Sequence, residues 1–158
     1  DAISGSLLKR VREFHHTIKG YDKAPSAVKK AKDNIKNANL DDYISIEENN
    51  FFDTEKSTEG KLHLVFNPPY DERLDIHMEE FYKSIGDTLK KNYPGTNAWT
   101  ITANLEALKY VGLKPSRKIK LFNAGLEARL VKYEMYEGSK RTKFQVADGN
   151  NTASDSSI

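Results

Sequence analysis

Asn67-Pro68-Pro69-Tyr70 follows an apolar run from Leu62 to Phe66 and joins a side-chain amide, two prolines and an aromatic ring in four residues. Few reactions need that combination at the end of a buried strand. Methylation of an exocyclic amino group on a nucleobase by S-adenosylmethionine is one that does. The amino nitrogen of guanine or adenine is a poor nucleophile, because its lone pair is delocalised into the ring. Two acceptors aimed at its two N–H bonds favour a more tetrahedral nitrogen, whose lone pair then faces the methyl donor. The Asn67 side-chain oxygen and the Pro68 carbonyl are suited to be those acceptors, as preorganised electrostatic stabilisation. Prolines fit this role because they fix φ, remove competing N–H donors and hold the preceding residue extended. Tyr70 would stack on a base extruded from its helix or loop, a contact worth about 1–3 kcal/mol in comparable sites. The plain alternative is a turn that closes a strand, since Asn-Pro marks turns in general.

Such a loop must be held by regular elements, and strand and helix patterns alternate along the chain. Thr17 to Asp22 reads as a short strand ending in an acid. Pro25 and Ser26 open a helix with Val28, Ala31, Ile35 and Ala38 on one face. Tyr43 to Glu47 alternates as a second strand. Leu62 to Phe66 is nearly all apolar, as expected of a strand covered on both faces. Met78, Phe81, Tyr82, Ile85 and Leu89 mark the buried face of the next helix, which Asn92, Pro94 and Gly95 end. Ala98 to Thr102 is another strand, and a helix is predicted from about Asn104 to Val111, with Gly112 at its C-cap. Ile119–Asn123 and Leu126–Met135, joined by a turn at Ala124-Gly125, read as a hairpin. Residues 145–158, rich in Asn, Ser, Asp and Gly, read as a disordered tail. Alternating β and α followed by a hairpin predicts an α/β, doubly wound, mostly parallel sheet with an antiparallel C-terminal hairpin.

Composition limits the partners. With 158 residues the chain suits one domain with a core of its own. Its 25 basic and 23 acidic residues give a net charge of +2, which excludes a strongly cationic binder of the histone kind and leaves local basic patches. There are no cysteines, so there is neither a disulfide framework nor a thiolate zinc site, and a cytoplasmic setting fits. His15-His16, His63 and His77 are not at metal-ligand spacing, so no metal is expected. No apolar run approaches a membrane span, and no signal-peptide pattern opens the chain. Lys114, Arg117, Lys118 and Lys120, with Lys140, Arg141 and Lys143, are candidates to face RNA phosphates, though such residues are often just a solvated rim.

Gly20-Tyr21-Asp22, Asn67-Pro68-Pro69-Tyr70-Asp71-Glu72-Arg73-Leu74, Leu121-Phe122-Asn123 and Leu126-Glu127-Ala128-Arg129-Leu130 occur in this order. Together they resemble the catalytic domain of the bacterial 23S ribosomal RNA guanine-N2-methyltransferases, often labelled N6-adenine-specific DNA methylases. The resemblance runs from about residue 17 to 143. It implies a Rossmann-like class I methyltransferase fold over residues 1–144, with S-adenosylmethionine as cofactor and ribosomal RNA as partner. It gives Asn67, Pro68, Pro69 and Tyr70 the catalytic role, with Asn67 also counted among the cofactor contacts. Asp22 would accept both ribose hydroxyls of the cofactor, as acids do at that strand end in dinucleotide-binding folds. Its local alternative is a turn acid before Pro25. Asn50 falls where the family usually places an Asp that accepts a bond from the adenine amino group, and an Asn oxygen still accepts. An Asn-rich loop is the alternative there.

The start departs from the family. Asp1-Ala2-Ile3-Ser4-Gly5-Ser6 looks like the first half of the glycine-rich turn that meets the cofactor's amino-acid end, which would assign Asp1 and Gly5 to that site. Leu7 stands where a second glycine is expected, and the family's first, central strand has no counterpart ahead of Asp1. The domain is therefore expected to be N-terminally incomplete, with an upstream RNA-binding domain of the THUMP type missing from this chain. Two other functions stand beside guanine-N2 methylation: adenine-N6 methylation of DNA or RNA, and a non-catalytic remnant or binding module without a complete cofactor site.

Overall fold

The computed structural model describes residues 12–69 and 76–137, so Asp1, Gly5, Tyr70, the Glu72-Arg73-Leu74 extension, Lys140, Arg141, Lys143 and residues 145–158 lie outside it. The chain divides into two compact units that meet between Asp53 and Thr54.

In the first unit, β1 (Ile18–Asp22) and β2 (Ile44–Glu48) pair in parallel, with Ile18 opposite Ile44 and Asp22 opposite Glu48. Between them runs α1 (Pro25–Asn37). Pro25 begins this helix at a position where a missing N–H costs nothing and a φ near −65° is already helical. Val28, at 6% exposure, is its buried anchor, and Ala31 and Ile35 extend the same face. The helix stops one residue short of Ala38. Asn39 takes a left-handed φ of 55°, its N–H reaches the Lys36 carbonyl and the Leu40 N–H reaches that of Ile35, both at 3.0 Å. That paired closure satisfies the last helical carbonyls, and Asn tolerates the left-handed region better than most residues.

The second unit is a four-stranded sheet in the order β3-β4-β6-β5, made by β3 (Leu62–Phe66), β4 (Thr96–Thr102), β5 (Arg117–Asn123) and β6 (Leu126–Glu134). β3 and β4 are parallel, β6 runs antiparallel to β4, and β5 returns along β6. The hairpin turns at Ala124 and Gly125 with φ values of 46° and 88°, the doubly left-handed geometry that tight hairpins favour. One face of the sheet carries Ala98, Val131 and Tyr133, all at 0–1% exposure, against Tyr82, Ile85 and Leu89 of α2 (Ile76–Asn92). Gly86 permits a close approach there. A Cβ on it would overlap the Val111 carbonyl oxygen and sit 2.8 Å from the carbonyl carbon. The other end of α2 is tied to the start of this unit, where Asn92 Nδ2 donates to the Thr54 carbonyl at 2.9 Å and Tyr93 Oη to Thr54 Oγ1 at 2.6 Å.

Two expectations are corrected. The segment after β4 is a short 3-10 turn, Ala107–Val111, closed by Gly112 at φ 66°. No α-helix forms from Asn104: its Oδ1 caps the turn by accepting the Ala107 N–H at 3.0 Å, but left-handed Gly112 closes the run so soon that bonds span three residues, as from the Lys109 N–H to the Glu106 carbonyl at 3.4 Å. β3 is not covered on both faces either. Val65 is 71% exposed, because its face of the sheet, shared with Trp99, Ile101 and Leu130, lies opposite the one α2 covers.

Candidate active site

Asn67, Pro68 and Pro69 leave β3 at its carboxyl end, the end at which parallel strands of open α/β sheets present their ligand-binding loops. Phe66 is opposite Thr100, so this loop lies alongside the last residues of β4. Asn67 is exposed and so able to present its amide, while Pro68 is buried and anchors the turn. Beneath them, Tyr82 Oη donates to the Pro69 carbonyl at 3.4 Å and lies 2.7 Å from Thr102 Oγ1. Loops following two adjacent strands are thereby joined through one helix side chain. Tyr70, which the sequence assigns to base stacking, lies outside the described residues.

Two of the residues expected to hold the cofactor, Asp22 and Asn50, lie at the carboxyl end of the β1–β2 pair. Asp22 ends β1, and its backbone carbonyl accepts the Asn49 N–H at 3.0 Å, which links the two strand ends. Asp22 Oδ1 accepts the Ala24 N–H at 2.8 Å, so the turn-acid role is present. An ionised carboxylate has about four acceptor positions, so one such bond leaves capacity for hydroxyl donors. Asn50 Oδ1 likewise accepts the Phe52 N–H at 3.2 Å within a short 3-10 turn, Phe51–Asp53. Both side chains are exposed. As a set of acceptors this fits a ligand with vicinal hydroxyls and an amino-bearing ring. Asp1 and Gly5 are outside the described residues.

Elsewhere the titrating groups are structural. Burial, with the nearby Tyr82 second, pushes the Tyr133 phenol up to about 12. A hydrogen bond from Lys120 leads the causes that hold Glu127 below the usual carboxylate range, with Arg129 adding to it. Lys120, one of the candidate phosphate contacts, therefore already has an anionic partner at 2.8 Å. A cleft of about 850 Å³ is bordered by Lys90, Pro94, Lys114 and Glu134, at the amino end of β4, and includes Lys114 of the candidate phosphate contacts but not Asn67, Asp22 or Asn50. Among the described residues, no three His, Cys, Asp or Glu side chains converge as metal ligands and no helix is long and apolar enough to cross a membrane.

The family described as RMKL-like, methyltransferase domain matches residues 6–132. The chain belongs to it. Among curated proteins, the ribosomal RNA large subunit methyltransferase K/L of Hahella chejuensis is 32% identical over 140 residues, which is 86% of this chain and 19% of that protein. The chain thus spans about a fifth of that relative's length. Among solved structures, a "possible methylase" from Clostridium difficile 630 superposes with a TM-score of 0.71 at 24% identity, over 87% of this chain and 36% of that one. SMU.472 complexed with SAH superposes with a TM-score of 0.67 at 25% identity, over 77% and 32%. The RMKL-like domain therefore has the α/β, Rossmann-like fold of class I methyltransferases, with its antiparallel hairpin where the sequence predicts one.

The sequence missed Tyr82 and Thr102 as parts of this site. Tyr82 sits at a core position of an amphipathic helix, and nothing local marks its hydroxyl as aimed at a loop 13 residues away.

Proposed function

We propose that this chain is the catalytic domain of an S-adenosylmethionine-dependent ribosomal RNA methyltransferase that acts on the N2 amino group of guanine. The observation that carries the reading is Asn67-Pro68-Pro69 at the carboxyl end of β3, an exposed amide on a loop anchored by a buried proline. Family membership and the ribosomal RNA methyltransferase name of the Hahella relative support it.

Asp22 and Asn50 would hold the ribose hydroxyls and adenine of S-adenosylmethionine, with Asp1 and Gly5 toward its amino-acid end. When bound, that cofactor supplies an electrophilic methyl group. The work of the chain is to prepare the acceptor. Asn67 Oδ1 and the Pro68 carbonyl accept the two N–H bonds of the flipped guanine and turn its nitrogen lone pair outward, while Tyr70 stacks on the ring. Because neither proline has an N–H, the loop offers acceptors and no competing donor beside the amide. The methylated nitrogen is strongly acidic and loses its proton afterwards, so no side chain is assigned as general base. Selection of the nucleotide falls to regions outside this chain, an upstream RNA-binding domain of the THUMP type among them.

Titration of S-adenosylmethionine into the chain and transfer of labelled methyl to ribosomal RNA, followed by nucleoside digestion, test this reading. N2-methylguanosine is the expected product, and Asn67→Ala should slow transfer by about 10²–10³-fold, as loss of one preorganised polar group does elsewhere. N6-methyladenosine would move the substrate to adenine, and absence of cofactor binding would make the chain a remnant.

A further inference from the structure

Tyr82 is buried to 0% exposure on α2, and for packing alone a phenylalanine would serve there. A buried phenol hydroxyl costs stability unless it is partnered, and this one faces the loop that follows β3. The Pro69 carbonyl can only accept, so the single phenol proton serves it at 3.4 Å. With that proton spent, Thr102 Oγ1 at 2.7 Å is the donor to Tyr82 Oη, and it accepts the Asn104 N–H at 3.0 Å. Three aligned donors thus run from the loop after β4 to the loop after β3, and each polarises the next.

The loop needs this kind of support. Pro68 and Pro69 have no N–H, so their only backbone handles are carbonyls. The Pro68 carbonyl is committed to the base in the methyl-transfer reading, which leaves that of Pro69 as the attachment point. We propose that Tyr82, oriented by Thr102, is a positioning residue that anchors the Pro69 carbonyl and so aims Asn67 Oδ1 and the Pro68 carbonyl at the target amino group. This assignment rests on the function proposed above. The last link is long for a hydroxyl bond, as catalytic contacts often are before substrate arrives. Displacement of reacting groups by about 1 Å can cost about 10²-fold, so a modest tether has kinetic weight.

Two readouts test the proposal. In chain labelled with ¹³C at the proline carbonyls, Tyr82→Phe should move the Pro69 resonance upfield, and Thr102→Ser, which keeps a hydroxyl, should move it far less than Thr102→Val. An unchanged Pro69 resonance in Tyr82→Phe overturns the proposal without any transfer assay. In single-turnover methyl transfer, Tyr82→Phe and Thr102→Val should each lower the rate about tenfold while KM for S-adenosylmethionine and for RNA stays put. Thr102→Ser should restore the rate, and the double variant should be no slower than either single one, because both act through one carbonyl. A wild-type rate in Tyr82→Phe beside a slowed Asn67→Ala overturns the positioning role alone. A wild-type rate in Asn67→Ala overturns the methyl-transfer reading and this role with it, while leaving the Pro69 resonance shift intact.

Discussion

Among the described residues, the first unit buries one apolar side chain well, Val28 at 6% exposure, whereas the second buries Tyr82, Leu89, Ala98 and Val131 to 0%. In the first, Ile18, Tyr21, Leu40 and Tyr43 are all about two-fifths exposed or more, between 39% and 48%. A two-stranded pair under a single helix has little apolar stabilisation of its own, while four strands under a long helix have much more. The residues assigned to the target base therefore stand on the well-packed unit, and Asp22 and Asn50 on the thinner one. Preorganisation matters most where charge develops during the reaction, and that is the half with the rigid support. A cofactor with many contacts tolerates a softer host, because its binding energy can order the residues it touches.

The largest test of this contrast is Gly86→Ala. Its new methyl group would overlap the Val111 carbonyl, which is backbone and cannot swing aside. A loss of about 3 kcal/mol is expected in the second unit. Trp99, the sole tryptophan, lies on β4 and reports that unit alone, so the loss should appear in its fluorescence during urea unfolding. A Trp99 transition unchanged by the substitution would mean that α2 does not pack against the Ala107–Val111 turn as described.

Alkaline pH should act next. The Tyr133 phenol is held neutral up to about 12 in the folded state against 10.0 for an ordinary tyrosine. Below pH 10 both states are neutral and the stability is intact. Above it the unfolded chain ionises first, so about 2–3 kcal/mol is lost as pH rises from 10 through 12. Melting followed at Trp99 across that window should steepen in wild type and flatten in Tyr133→Phe. An equal slope in both would remove Tyr133 as its cause.

The smallest effect belongs to Gly20 on β1. A Cβ there would meet Ile46 Cδ1 at 3.5 Å, an ordinary contact, and its φ lies outside the left-handed region. Gly20→Ala should stabilise the first unit by about 0.5 kcal/mol, through a less flexible unfolded chain and a little added packing. Circular dichroism should register the gain while the Trp99 transition stays in place. A loss in place of a gain would show that β1 is packed more tightly than the structure has it.

Much of this fold is legible along the sequence, because period-two and period-3.6 patterns are local. β3 begins and ends at Leu62 and Phe66 as its apolar run predicts, and the turn at Ala124-Gly125 falls where the two flanking strands require it. The helix expected from Asn104 was not legible as a 3-10 turn, since an Asn cap and a closing glycine such as Asn104 and Gly112 serve either helix type. A run such as Leu62–Phe66 cannot say which of its faces will be covered, because every residue in it but His63 is apolar; only the position of α2 decides that. The candidate site divides in the same way. Asn67 to Pro69 announce themselves by residue type, whereas the Tyr82 and Thr102 support is a contact between elements and leaves no local trace.

The pairing of Asn67 with Pro68 has one more consequence, which concerns ageing. An asparagine usually decays when the amide nitrogen of the next residue attacks its side chain and closes a succinimide, which then opens to aspartate or isoaspartate. Pro68 has no N–H to deliver that attack. Asn67 is exposed at a loop, where such decay is usually fast, yet its neighbour closes the usual route of that decay.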